Sequence, residues 1–180
     1  MEENSCYENY PLRAVIVSNL SSLLTVILGS WIIYQFGIAW VVMYLIYVIF
    51  LEIRLYKSSC VNCYYYGKVC AFGKGKICSL LFKKGDPAAF VDTEISWRQL
   101  APDMLVMLAP VMAGLLLLMN KFDWVTLGLI VTIAVVSLVG TGLTRSHLAC
   151  LHCKQRELGC PAERLFSKSV DELQGNEPEI

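Results

Sequence analysis

AVIVSNLSSLLTVILGSWIIYQFGIAWVVMYLIYVIFLEIRLY, residues 14–56, decides the fold class. Its first 21 residues, Ala14 to Tyr34, carry no charge. After Gln35-Phe36-Gly37 a second apolar run extends from Ile38 to Tyr56, with Glu52 and Arg54 only near its end. A helix rises about 1.5 Å per residue and the hydrocarbon layer is about 30 Å thick, so roughly 20 apolar residues in a row span it. Two such runs joined by three residues must lie side by side and run in opposite directions. The stretch predicts an antiparallel helical hairpin.

The pattern recurs further along. Leu100 to Met119 is apolar apart from Asp103 at its start, and Trp124 to Thr144 is uncharged. Asn120-Lys121-Phe122-Asp123 joins them. Four such runs leave little polar surface in a chain that is 56% hydrophobic, with mean hydropathy +0.55, and this excludes an ordinary soluble domain. The first run is too long for a cleavable signal peptide, and no small-residue cleavage site follows it. Helices in lipid pack through small residues, for which Gly29, Ser30, Ala113, Gly114, Gly140 and Gly142 are the candidates. Trp31, Trp40, Trp97 and Trp124 stand near span ends, as aromatic belts do. Asp103 suits a helix N-terminus, where a carboxylate meets the positive end of the dipole.

The expected fold is therefore an all-α integral membrane protein of four transmembrane helices in two tandem hairpins. Residues 1–99 hold the first hairpin and a cysteine-bearing loop. Residues 100–180 hold the second hairpin and a cysteine-bearing tail, the two forming one compact membrane domain. Four spans put both termini and residues 57–99 on one side. Of the fifteen Lys and Arg residues, Lys121 alone falls on the other side. This asymmetry predicts a multi-pass protein with both termini in the cytoplasm. The formal net charge of zero gives no field for nucleic acid, which is excluded as a partner.

Two cysteine stretches follow the hairpins: CVNCYYYGKVC, residues 60–70, and CLHCKQRELGC, residues 150–160. Both read Cys-x2-Cys-x6-Cys, and each cysteine of the first has its counterpart 90 positions on. Hairpins entering from the same side form a parallel repeat about an axis along the membrane normal. Such a pseudo-twofold brings the two cysteine rulers together beneath the membrane. Cytoplasmic thiols stay reduced, so paired Cys-x-x-Cys motifs there hold metal or perform redox chemistry. A gap of two residues lets both thiolates turn onto one ion while backbone amides bond the sulfurs.

The spacing resembles that of the Zn₂Cys₆ modules of fungal transcription factors, in which six thiolates hold two zinc ions. The likeness covers Cys60, Cys63, Cys70, Cys150, Cys153 and Cys160 only. Two apolar runs separate the halves here and no basic base-reading helix is evident, so it is a likeness of geometry without DNA binding. Cys78, His147 and His152 are further ligand candidates. Two four-ligand sets can be drawn: Cys60, Cys63, Cys70 and Cys78, and Cys150, Cys153, Cys160 with one histidine. Closed shells of these kinds hold structural zinc, one ion or two. An iron–sulfur cluster is the alternative, with Cys160-Pro161 matching the end of a ferredoxin motif whose spacing is otherwise absent.

GKVCAFGKGK, residues 67–76, is not a P-loop: five residues separate Gly67 from Gly73, and Gly75 stands where Ser or Thr should bind magnesium. It reads as a glycine-rich turn beside a metal site. Lys68, Lys74, Lys76, Lys83 and Lys84 then face anionic lipid headgroups. Tyr64, Tyr65 and Tyr66 shield the cluster or line the interface, residues 86–98 lie along the interface, and the acidic tail from Ser169 is disordered. No catalytic triad, nucleotide fingerprint or carboxylate pair marks an enzyme.

Three functions fit. The first is a metal-clamped scaffold or accessory subunit of a membrane complex, with a protein partner on its cytoplasmic face. The second is an iron–sulfur subunit passing electrons to a quinone or a neighbouring redox subunit. The third is a thiol–disulfide oxidoreductase, which the charge asymmetry disfavours by placing the thiols on the reducing side. Metal transport lacks ligands along the spans.

Overall fold

A computed structural model describes residues 6–91, 97–140, 142 and 144–161. Two long helices come first, α1 at Leu12–Tyr34 and α2 at Ile38–Ser58. Two short ones follow, α3 at Lys74–Leu81 and α4 at Pro87–Val91. Then come α5 at Trp97–Asn120 and α6 at Trp124–Val135, which runs on as a π-helix over Val136–Gly140. A second π-helical stretch, Thr144–Cys150, leads to a single helical turn at Lys154–Glu157. Among the described residues there is no strand, only an isolated bridge between Tyr7 and Cys153.

Three helical stretches, Leu12–Tyr34, Ile38–Asn62 and Leu100–Asn120, are long and apolar enough to cross a membrane. The fourth apolar helix, Trp124–Gly140, is shorter. At 1.5 Å per residue its described length is about 26 Å, just under the hydrocarbon thickness. The sequence run expected to make this span reaches Thr144, and residues 141 and 143 within it lie outside the described residues. The outward faces carry large apolar groups such as Leu12, Trp31, Met43, Phe50 and Trp124. Long apolar helices whose outer surface is left largely uncovered, with at most 28% of a span window buried, are those of a membrane protein.

Local chemistry sets the helix ends. α1 begins after Pro11, whose fixed φ and missing amide suit a helix start. It ends in the turn at Gln35-Phe36-Gly37, where Gly37 takes φ +117°, a conformation that side chains resist. Asp123 caps α6, accepting hydrogen bonds from the Thr126 amide and hydroxyl, both at 3.0 Å.

α1 is the central helix, packed against α2, α5 and α6, while α5 also packs against α2 and α6. Ile32, Ile130 and Ile133 fill one layer; Ile33, Val41 and Tyr44 fill the next. The small residues sit where the backbones approach. A Cβ at Gly29 would meet the Tyr44 hydroxyl at 3.0 Å and Pro110 at 3.1 Å, and one at Gly114 would meet Ile130 at 2.7 Å. A Cβ at Gly140 would meet Ser21 at 3.1 Å, whereas Gly142 has open space around it.

Two prolines inside α5 tie it to α2. Pro110 has no N–H, so the Val106 carbonyl one turn earlier loses its helical donor. The Tyr44 hydroxyl donates to that carbonyl at 2.9 Å, and the Tyr47 hydroxyl donates to the Pro102 carbonyl at 2.8 Å. In hydrocarbon no water could take the place of the Tyr44 bond, so it fastens α2 to α5 where Pro110 breaks the ladder, and the Tyr47 bond adds a second tie one turn earlier. On the other side of α1, the Thr25 and Ser137 hydroxyls bond at 3.1 Å.

Candidate functional site

Where α2 ends, the chain makes a 3₁₀ turn over Cys60–Asn62 and reaches Cys63. The Cys63 amide donates to the Cys60 carbonyl at 3.4 Å, and the Tyr66 amide to the Cys63 carbonyl at 3.0 Å. The second ruler repeats this. The Cys153 amide donates to the Cys150 carbonyl at 3.3 Å, and the Arg156 amide to the Cys153 carbonyl at 3.0 Å. The backbone amides of Tyr64 and Tyr65 favour the Cys63 thiolate, and those of Gln155 and Arg156 the Cys153 thiolate, in each case against a larger opposing effect of burial. Two stretches with few side chains in common thus share one backbone pattern around the middle cysteine.

Glycines close the first ruler. Gly67 and Gly73 have φ of +78° and +69° and turn the chain into α3. The Gly67 amide donates to the Gly75 carbonyl at 3.1 Å. Gly75 is buried so tightly that a Cβ there would collide with the Tyr65 carbonyl oxygen and come within 2.6 Å of the Lys68 carbonyl oxygen. The glycine-rich stretch therefore serves close backbone packing.

The two rulers meet. The Tyr64 amide donates to Gln155 Oε1 at 2.8 Å, and the Lys154 amide to the Tyr65 hydroxyl at 3.0 Å. Tyr65, only 2% exposed, donates in turn to the Tyr7 carbonyl at 2.6 Å. The N-terminal segment binds both sides. The Tyr7 amide donates to the His152 carbonyl at 3.0 Å and the Tyr10 amide to the Val69 carbonyl at 2.9 Å. Tyr10 donates its hydroxyl to the Ala149 carbonyl at 2.6 Å, and Asn9 Oδ1 accepts from the Val69 amide at 3.0 Å. Tyr10, Ala14, Tyr65, Ala71 and Ala149 form the buried centre of this cap, with Cys63, Cys70 and Cys153 packed against it. Nothing in the sequence marked Tyr7–Tyr10 as part of the site. A ten-residue polar leader has no periodicity to read, and its aromatic side chains were its one signal.

Most of the candidate ligands are drawn into this neighbourhood. Cys63 lies within electrostatic reach of Cys70, Cys153 and Cys160, and Cys60 within reach of Cys63, Cys70 and Cys78. Cys78 is fully buried and Cys150 is exposed. Among the described residues no disulfide joins these thiols, and no three His, Cys, Asp or Glu side chains stand close enough to hold an ion as they are placed. Burial outweighs the amide contacts and pushes the Cys63 and Cys153 thiols up to about 11. Metal uptake here would have to displace protons. His152 Nδ1 is buried with no hydrogen-bond partner, and the ring lies 4.9 Å from that of Tyr7. The His147 side chain lies outside the described residues, as do residues 92–96 of the interfacial segment and the tail from residue 162.

The lysines read as facing headgroups divide into two groups. Lys74 pairs with Glu52 at 2.7 Å. Lys68 donates to the Tyr64 hydroxyl at 2.9 Å and stands 3.7 Å from Glu8, which also takes Lys154 at 3.1 Å. Lys76, Lys83 and Lys84 are exposed. Cys6, outside both rulers, donates to Glu157 at 3.2 Å.

Comparison with protein-family models, with curated proteins and with solved structures finds no match for this chain.

Proposed function

We propose that this chain is a four-span membrane protein whose two cysteine rulers bind metal in one cytoplasmic cap, clamping loop, tail and N-terminus into a platform for a protein partner. The observation that carries the reading is the shared backbone pattern around Cys63 and Cys153, with the two rulers joined through Tyr64 and Gln155 and through Tyr65 and Lys154. The neighbouring backbone amides favour the thiolate, the form in which cysteine binds metal. The ligand sets are Cys60, Cys63, Cys70 and Cys78, and Cys150, Cys153 and Cys160 with His152 or His147. The buried, unpartnered Nδ1 of His152 suits this role. Closing either set requires rearrangement of side chains within the cap.

Helix packing supports the tandem repeat. α1 and α5 are counterparts in the two halves, and they pack on each other. Each also packs on the other's hairpin partner, α1 on α6 and α5 on α2, as a twofold along the bundle would require. Lys121 lies at the end opposite the cap, so the basic residues gather at the cap end, which the positive-inside rule places in the cytoplasm. Labelling in intact cells should modify a cysteine introduced at Phe122 and spare one at Gly85. The reverse pattern would put the thiols on the oxidising face.

The metal itself is tested by anaerobic purification followed by metal analysis and absorption spectra before and after dithionite. Zinc is redox-silent and colourless, so bound zinc with no visible band supports the clamp. A brown band that bleaches, with iron and acid-labile sulfide, would make the cap an electron carrier. A metal-free protein would sink both.

A further inference from the structure

Two hollows on the outer face of the bundle share a wall. The larger, about 890 Å³, lies between α2 and α5, with Trp40, Met43 and Phe50 on one side and Met112 and Leu116 on the other. The hydroxyls of Tyr44 and Tyr47, which also line it, are engaged by the Val106 and Pro102 carbonyls, so it offers hydrocarbon no polar competitor. The smaller hollow, about 420 Å³, is formed by Phe50, Ile53, Arg54, Lys57 and Ser58 at the end of α2. These positions follow one stripe of the helix, at intervals of three and four residues. Phe50 belongs to both hollows. Along α2 the groove is apolar as far as Ile53 and cationic within the next turn.

Lys68, Lys74 and Lys154 form ion pairs. Among the described residues neither Arg54 nor Lys57 has a carboxylate partner, and Lys57 lies 5.9 Å from the centroid of the Phe82 ring. We infer that this groove binds one anionic membrane lipid, its headgroup held by Arg54 and Lys57 and its acyl chain laid past Phe50 into the cavity between α2 and α5. A zwitterionic lipid brings its own cation beside its phosphate, so it offsets the two positive charges less than an anionic lipid does. A soluble phosphate would leave the apolar cavity uncovered. The site rests on the membrane placement proposed above and uses no cysteine, so the metal result does not bear on it.

The test uses the full chain in detergent micelles, offered equal phosphatidylglycerol and phosphatidylcholine of matched chain length, with retained lipid counted by native mass spectrometry. One phosphatidylglycerol should be retained in preference. Arg54→Gln with Lys57→Gln should lower that preference roughly 30-fold, as expected for two basic side chains beside an anionic headgroup. Ala109→Phe, which narrows the apolar cavity without removing charge, should lower retention several-fold. Lys83→Gln with Lys84→Gln should leave it unchanged, as should excess inorganic phosphate. Equal retention of both lipids by the wild type would overturn the site. So would an equal loss in the Lys83 and Lys84 variant, or displacement by phosphate. A chain that stays dispersed without detergent would instead overturn the membrane placement.

Discussion

Gly75→Ala should dismantle the cap and leave the helices standing. The added methyl meets backbone rather than the movable end of a side chain: the Tyr65 carbonyl oxygen, and the Lys68 carbonyl oxygen at 2.6 Å. Overpacking of a well-filled interior costs about 1–3 kcal/mol, and an obstacle of backbone on both sides puts this case at the upper end. The displaced turn carries Tyr65, whose hydroxyl joins the N-terminal segment to the second ruler. A local fault therefore reaches all three segments of the cap. The helices keep their backbone bonds inside each span, so helicity in micelles should not fall. Limited proteolysis within residues 57–91 reads the effect, with cleavage at least about tenfold faster than in wild type, the equivalent of about 1.4 kcal/mol. Lys76→Ala, at an exposed neighbour, is the control. Wild-type resistance in Gly75→Ala would contradict the packing of α3 beneath the first ruler.

Cys63→Ser and Cys153→Ser should each strip metal from the cap, although 90 residues separate them. Structural zinc contributes about 10–16 kcal/mol of apparent binding free energy in small peptides, so losing one ligand of a closed shell is a large change. Either substitution should also expose the loop and the tail together to protease, because Gln155 and Tyr64 bind across the two rulers. Full loss of metal from each variant marks one shared site, and half-loss from each marks two. Cys6→Ser should retain the metal, since that thiol lies outside both rulers and donates to Glu157. Retention of metal in both ruler variants would remove the cysteines from the account.

The long helices were legible because charge and hydropathy act over many residues at once. Apolar runs gave α1, α2 and α5 to within two or three residues of their ends. Within α2 the Glu52 carboxylate finds Lys74 on α3, a contact no local pattern reveals. The apolar run after Trp124 was visible, but its change from α to π geometry at Val136 was not, since no proline or glycine marks the change. The convergence of the rulers followed from their spacing and from the parity of the spans. The contacts that hold them together did not. Tyr7, Asn9, Tyr10 and Gln155 act through one or two hydrogen bonds each between distant parts of the chain. The same holds for Tyr44, whose partner is a carbonyl orphaned by a proline on another helix. Lys68 and Lys74 looked available to lipid because the sequence hides Glu8 and Glu52 beside them.

The claim on which the rest depends is that residues 60–70 and 150–160 form one cap. The full chain with every cysteine kept, and a protease site placed within residues 92–96, tests it directly. In micelles it is treated with a short lysine-to-lysine crosslinker, cut, and run on a denaturing gel, and the linked peptides are identified by mass spectrometry. The account predicts that the two halves stay joined in one band that contains a Lys68–Lys154 crosslink, since both lysines pair with Glu8. Lys154→Arg should abolish that crosslink. If the wild-type halves separate, or no Lys68–Lys154 crosslink forms, the rulers do not meet and the account is wrong.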